Sequence, residues 1–214
     1  MASPKTRGRC DKCGKDFANA AMGTHLAACI GAGPGLLVAV DVGPGTWWMH
    51  FALAPTATLL DLDKTLRALW LECCGHMSAF EIAGTRFESS TEGWQDFGWG
   101  PKPRSMAAKV GSVLQPGAGF GYEYDFGSTT ALRGRVLGTI APGRAKVTLL
   151  ARNAPIVWPC DGEACTAAAT RVCPYCSAMA CPTCDAPCDC LDDFAADALP
   201  VVNSPRMGVC AYTG

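Results

Sequence analysis

Eight cysteines fall between positions 160 and 190: Cys160, Cys165, Cys173, Cys176, Cys181, Cys184, Cys188 and Cys190. The pairs Cys173-Pro-Tyr-Cys176 and Cys181-Pro-Thr-Cys184 have the spacing of a metal knuckle. Zinc takes four N or S donors in a tetrahedron, so eight thiolates imply two closed structural sites with no position left for water. An interleaved, cross-braced order puts Cys160, Cys165, Cys181 and Cys184 on one ion. Cys173, Cys176, Cys188 and Cys190 then hold the other. Cys210 comes later in the chain and is an alternative to Cys188 or Cys190, because one intervening residue is a tight fit for two ligands on one ion.

A second donor set lies near the N-terminus. Cys10 and Cys13 form a knuckle, and His25 and Cys29 are four apart, which on a helix places both on one face. Phe17 and Met22 sit where a small apolar core would be. The pattern resembles zinc fingers of the CCHC ligand order, with one residue fewer than usual between the second Cys and the His. A unit this small requires metal to fold. The expected content is therefore about three zinc ions per chain.

The remaining thiols, Cys73 and Cys74, stand beside His76, with His50 elsewhere. A thiolate next to an imidazole is what a cysteine nucleophile needs. Cys73 falls on an apolar helical face and reads as core; His76 follows a helix end, where it complements the dipole. A thiol enzyme using Cys73 or Cys74 with His76, or a third metal site there, is the alternative.

Composition bounds these readings. The chain has 214 residues, 49% of them hydrophobic, and 14 cysteines. No apolar stretch, Leu36–Val40 included, is long enough to cross a bilayer, and no apolar region follows the basic N-terminal residues as in a secretory signal. The expected location is the cytoplasm, where cysteine pairs read as metal ligands and not as disulfides. The net charge of −1 hides an asymmetry. Lys5, Arg7, Arg9, Lys12 and Lys15 face only Asp11 and Asp16 in the first thirty residues, and could contact phosphates without sequence preference. Around the start of the expected finger helix only Asn19 could read a base edge, so sequence-specific DNA binding is not expected. The C-terminal region is acidic, which favours a protein partner or a structural cap.

The elements that must position these donors divide as follows. Residues 1–30 make the finger, 31–35 a Gly/Pro linker, 36–158 an α+β domain, and 159–214 the cysteine-rich module with its tail. Leu36–Val42 and Thr46–Leu53 read as strands around Gly43-Pro-Gly. A helical period runs from Thr58 to Cys74, capped by Thr58 with Asp61. Ser78–Ile82 and Thr85–Ser89 form a hairpin, and a short helix covers Met106–Leu114. Phe120–Phe126 alternates aromatic with small or acidic residues, the mark of a strand wet on one face. Thr129–Leu137 and Lys146–Arg152 complete an antiparallel set. The fold class is α+β: a central antiparallel sheet with packed helices, a roll, flanked by two small zinc-binding modules. Trp94, Phe97 and Trp99, on a glycine-rich loop, read as a lid over the core, with a recognition surface as the alternative.

At Trp70-Leu-Glu-Cys-Cys-Gly-His-Met-Ser-Ala-Phe80 and Tyr122-Glu-Tyr-Asp-Phe-Gly127 the chain resembles the plasmid Ri ORF-3-like family, passengers of insertion elements often labelled resolvase-like. Leu62, Asp63, Leu66 and Arg67, and the tail Asn203-Ser-Pro-Arg-Met-Gly-Val-Cys210, are similar to it too. The resemblance covers roughly residues 36–152 and the tail, and implies an α+β roll. Where many relatives have a Trp and a His after the glycine, this chain has Ser128-Thr129-Thr130. A serine recombinase needs arginines clustered around a nucleophilic serine; here they are scattered through the sequence. The sum of these readings is a non-enzymatic, zinc-binding adaptor with a protein partner. The alternative is a nucleic-acid-binding factor linked to a mobile element.

Overall fold

The computed structural model describes residues 6–43, 46–89, 102–184, 188–190 and 197–214. The chain forms two compact units. The first comprises residues 1–68 and 76–154; the second comprises 69–75 and 155–214. Lys5 and the loop aromatics Trp94, Phe97 and Trp99 lie outside the described residues.

The first unit is built on one large sheet. In chain order its strands are β1 (Arg7–Cys10), β2 (Asp16–Ala18), β3 (Gly35–Val42), β4 (Trp47–Leu53), β5 (Ser78–Ile82), β6 (Thr85–Glu88), β7 (Arg104–Ser105), β8 (Gly119–Tyr124), β9 (Thr130–Ile140) and β10 (Val147–Asn153). Their order across the sheet is β2-β1-β10-β4-β3-β9-β8-β5-β6-β7. Every pairing is antiparallel except β6 with β7. This is the expected α+β architecture, with few helices. Period-two alternation in β8 buries Phe120, Tyr122 and Tyr124. The strand stops there because Asp125 turns to φ +62°, which leaves Phe126 outside, 38% exposed, under the Arg86 guanidinium.

Helix α1 (Asn19–Ile30) packs on this sheet. Met22 and Leu26 are fully buried with Cys10, Leu37, Trp48, Ala52, Ile140 and Leu150. The finger thus shares its core with the sheet, and β1 hydrogen-bonds along β10, Cys10 opposite Ala151. The expected linker residues run directly into β3.

Helix α2 (Leu59–Leu66) begins as the sequence dictates. Thr58 N–H donates to Asp61 Oδ2 at 2.9 Å and Asp61 N–H donates to Thr58 Oγ1 at 3.2 Å, a complete capping box. The expected helix to Cys74 is shorter: from Arg67 to Leu71 the backbone widens to a π-turn. One extra residue per turn lets the consecutive Trp70 and Leu71 both be fully buried. The helix expected over Met106–Leu114 is a single turn, Val110–Val113.

Among the described residues the second unit has far less regular structure, chiefly β11 (Arg171–Val172) flanked by β12 (Met179–Ala180) and β13 (Leu199–Pro200). Among the described residues no helix is long and apolar enough to cross a membrane.

Candidate metal centres

None of the 14 cysteines forms a disulfide. All of them gather into donor groups whose ligand atoms lie within 4.8 Å of one another.

In the first unit, Cys10 ends β1 and Cys13 follows in a tight turn. Gly14 N–H donates to Cys10 O at 2.8 Å and Cys10 N–H to Lys15 O at 3.0 Å, folding the knuckle so that both thiols face one point. Helix α1 supplies His25 and Cys29 from one face. Cys13 Sγ lies 3.3 Å from His25 Nε2, and Phe17 stacks on the His25 ring with centroids 4.1 Å apart. A hydrogen bond from the Lys15 backbone is the main cause that lowers the Cys13 thiol from its ordinary value, toward the thiolate a metal needs. The basic residues beside this site are engaged locally. Arg7 donates to Asp16 O (2.7 Å), Arg9 Nε to Asp16 Oδ1 (3.2 Å), and Lys12 Nζ to Cys29 O (2.7 Å) at the helix C-terminus.

The second unit holds the interleaved pair. Cys160, Cys165, Cys181 and Cys184 form one group, and Cys173, Cys176, Cys188 and Cys190 the other. In the former, Cys165 Sγ is 3.8 Å from Cys181 Sγ, and Cys160 Sγ accepts from the Gly162 and Cys181 backbone N–H groups at 3.4 and 3.3 Å. A hydrogen bond from the Cys184 backbone leads the effects that bring the Cys181 thiol down to about 6. In the latter, burial raises Cys173, but the Cys176 and Tyr175 backbone groups outweigh it and hold that thiol at about 7. Both thiols are thus poised to ionise near neutrality. Gly162 tests the fit to an ion. A Cβ there would stand 2.6 Å from Cys184 Sγ and 3.4 Å from Cys160 Sγ. A side chain at this position would push the Cys184 sulfur out of its place in the donor group. The soft, all-thiolate donor sets suit zinc.

Cys188 and Cys190 both join the second group, and Cys210 does not replace either of them. It meets the two thiols for which a third metal site was the alternative: Cys74 Sγ lies 3.6 Å from Cys73 Sγ and 3.6 Å from Cys210 Sγ. Cys73, Cys74 and Cys210, all of the second unit, thus form a three-thiol cluster. The Ser204 hydroxyl donates to Trp70 O at 2.6 Å and accepts from Arg206 N–H at 2.9 Å, fixing the tail against residues 69–75. The signal available in sequence was the pairing of a lone late cysteine with a vicinal pair, but spacing cannot show a contact 136 residues apart. The neighbouring Cys73 and Cys210 thiols push Cys74 up to about 12, the opposite of nucleophile activation.

The motif residues of the first unit prove to be a buried polar network. Asp63, 2% exposed, accepts from the hydroxyls of Ser78 and of Tyr122 (2.8 Å for Tyr122). Arg67 lies over the Tyr124 ring, 5.0 Å from its centroid. Burial and the Asp63 charge raise the Tyr122 phenol, keeping it a donor.

No family model and no curated protein matches the chain. Among solved structures it is similar to the crystal structure of a protein of unknown function, MM3350, from Methanosarcina mazei Go1. Identity is 20% over 64% of this chain and 69% of that one, with a TM-score of 0.39. A likeness at that level carries no argument about fold or role.

Proposed function

We propose that this chain is a zinc-structured, non-enzymatic interaction protein holding four zinc ions, one in each donor group, with His76 as the fourth ligand beside Cys73, Cys74 and Cys210. One observation carries the reading: every cysteine is used, and each of the three groups that lie within one unit supplies four donors. A filled tetrahedron of protein ligands leaves no site for water or substrate, so the ions hold shape and do not turn over substrate. The partner is a protein, in keeping with the acidic C-terminal region and with basic N-terminal side chains already hydrogen-bonded within the finger. Membership of the ORF-3-like family belongs to the same proposal. Two of the stretches behind that resemblance, Trp70–Phe80 and the tail Asn203–Cys210, carry the ligands proposed for the fourth set.

Cobalt substitution tests it. The cobalt-loaded chain should show the intense visible bands of tetrahedral thiolate coordination, unchanged by added azide. A shift with azide would reveal an open coordination position and overturn the structural reading. The partner is tested by affinity capture from native extract: a stoichiometric protein should be retained by the zinc-loaded chain and lost on chelation.

A further inference from the structure

The first unit contains a groove of about 530 Å³ between α1 and the strands β3, β4 and β9, a size typical of small-ligand sites. Its floor is a single rung of the sheet. Ala39 on β3 stands opposite His50 on β4 and opposite Arg135 on β9. Directly opposed residues share a face, so a histidine and an arginine flank a methyl group. Their Cα atoms are about 10 Å apart, two strand spacings.

His50 is 1% exposed and its Nδ1 makes no hydrogen bond. A buried polar atom without a partner calls for a reason. The helix comes close here because Gly23 has no side chain: a Cβ would stand 2.4 Å from Leu137 Cδ1 and 3.7 Å from His50 Nε2. Leu137, 43% exposed, is an apolar wall left partly open to solvent. The acid facing the groove, Asp41, is held by Arg133 at 2.9 Å, which leaves Arg135 as the cation available to a ligand. Burial keeps the imidazole neutral down to about pH 4, so it acts by hydrogen bonding alone.

We propose that this groove binds a small amphiphilic carboxylate, its charged end forked on Arg135, its apolar body over Ala39 and against Leu137, and a second polar atom on His50. A single guanidinium matches the planar, bidentate geometry of a carboxylate. An N-acylated apolar amino acid has the required parts.

The test is a methyl-NMR titration of the full zinc-loaded chain, following Leu37, Ala39 and Leu137. The probes are N-acetyl-L-leucine, its uncharged amide N-acetyl-L-leucinamide, and acetate. The acid should give saturable shifts at these methyls, and the amide should bind at least about tenfold more weakly. Acetate, lacking the apolar body, should not saturate. Arg135→Gln, at an exposed position, should weaken the acid at least about tenfold while the zinc content stays unchanged. Ala39→Phe should fill the rung and abolish binding. His50→Phe should lose binding while keeping or raising the thermal midpoint, since it removes the unpaired nitrogen. Absence of saturable shifts with the acid, equal binding of acid and amide, or full affinity in Arg135→Gln overturns the proposal.

Discussion

Around Cys10 and Cys13 the ligands ride on a built core: Met22, Leu26, Trp48 and Leu37 bury each other, and the finger strand is paired along β10. Around Cys173 and Cys181 the regular structure among the described residues amounts chiefly to two-residue strands. Several of the buried residues there, Cys160, Cys173 and Cys181, are themselves ligands. The donor chemistry is nearly the same in both places, but the support is not. In the first unit a bound metal would fix the local geometry of a helix and a turn on a structure that apolar burial already holds. In the second, a metal would tie together knuckles that have only a small apolar core, Val172 and Ala180 among them, to rest on. A motif that signals zinc therefore does not by itself say what zinc contributes to stability.

The largest expected effect comes from chelation. Stripping zinc should unfold the second unit while the sheet of the first persists. Amide NMR checks this: dispersed signals from residues 160–184 should collapse, and those of β3, β4 and β9 should remain. Collapse of both together would erase the contrast. A narrower blow to the second unit is Gly162→Ala, whose methyl would stand 2.6 Å from Cys184 Sγ and displace it. Elemental analysis should then find one zinc ion fewer than in the wild type, with the Cys173 group still filled.

The first unit should respond in the opposite way. Met22→Ala removes a fully buried side chain and should cost about 3 kcal/mol in denaturant unfolding, with the zinc content unchanged. Loss of zinc without loss of stability would reverse the assignment. A pH effect sharpens the same point. His50 is lowered by burial from 6.5 to about 4. Between those values the unfolded chain takes up a proton that the folded chain refuses, so stability is present above pH 6.5 and declines as the pH falls toward 4. The loss is up to about 3 kcal/mol. Acid also strips zinc, so the measurement is the difference between wild type and His50→Phe, which lacks this group. Wild type should lose more over that window; equal losses would show that the imidazole is solvated.

Much of this was legible in the sequence, and for specific reasons. The knuckle spacings and the interleaved order of the eight late cysteines follow from local geometry. So do the capping box at Thr58 and the alternation of Phe120, Tyr122 and Tyr124. What stayed hidden depended on long-range packing. The fusion of the finger into the sheet needs β1 to find β10, more than a hundred residues away in sequence. The Cys73–Cys74–Cys210 grouping needs the tail to return to Trp70 through Ser204. The rung His50–Ala39–Arg135 exists only once the two registers of β3, with β4 and with β9, are fixed. The π-turn after Leu66 has the same helical period as its neighbours until the backbone slips by one residue.

The most direct measurement combines metal and thiol counts on natively purified protein: zinc by elemental analysis, and thiols by titration with a disulfide reagent before and after chelation. Four zinc ions per chain are predicted, with the 14 thiols protected at first and all reactive once the metal is removed. Protein without zinc whose cysteines react freely in the native state, or whose cysteines are joined as disulfides, would contradict the account.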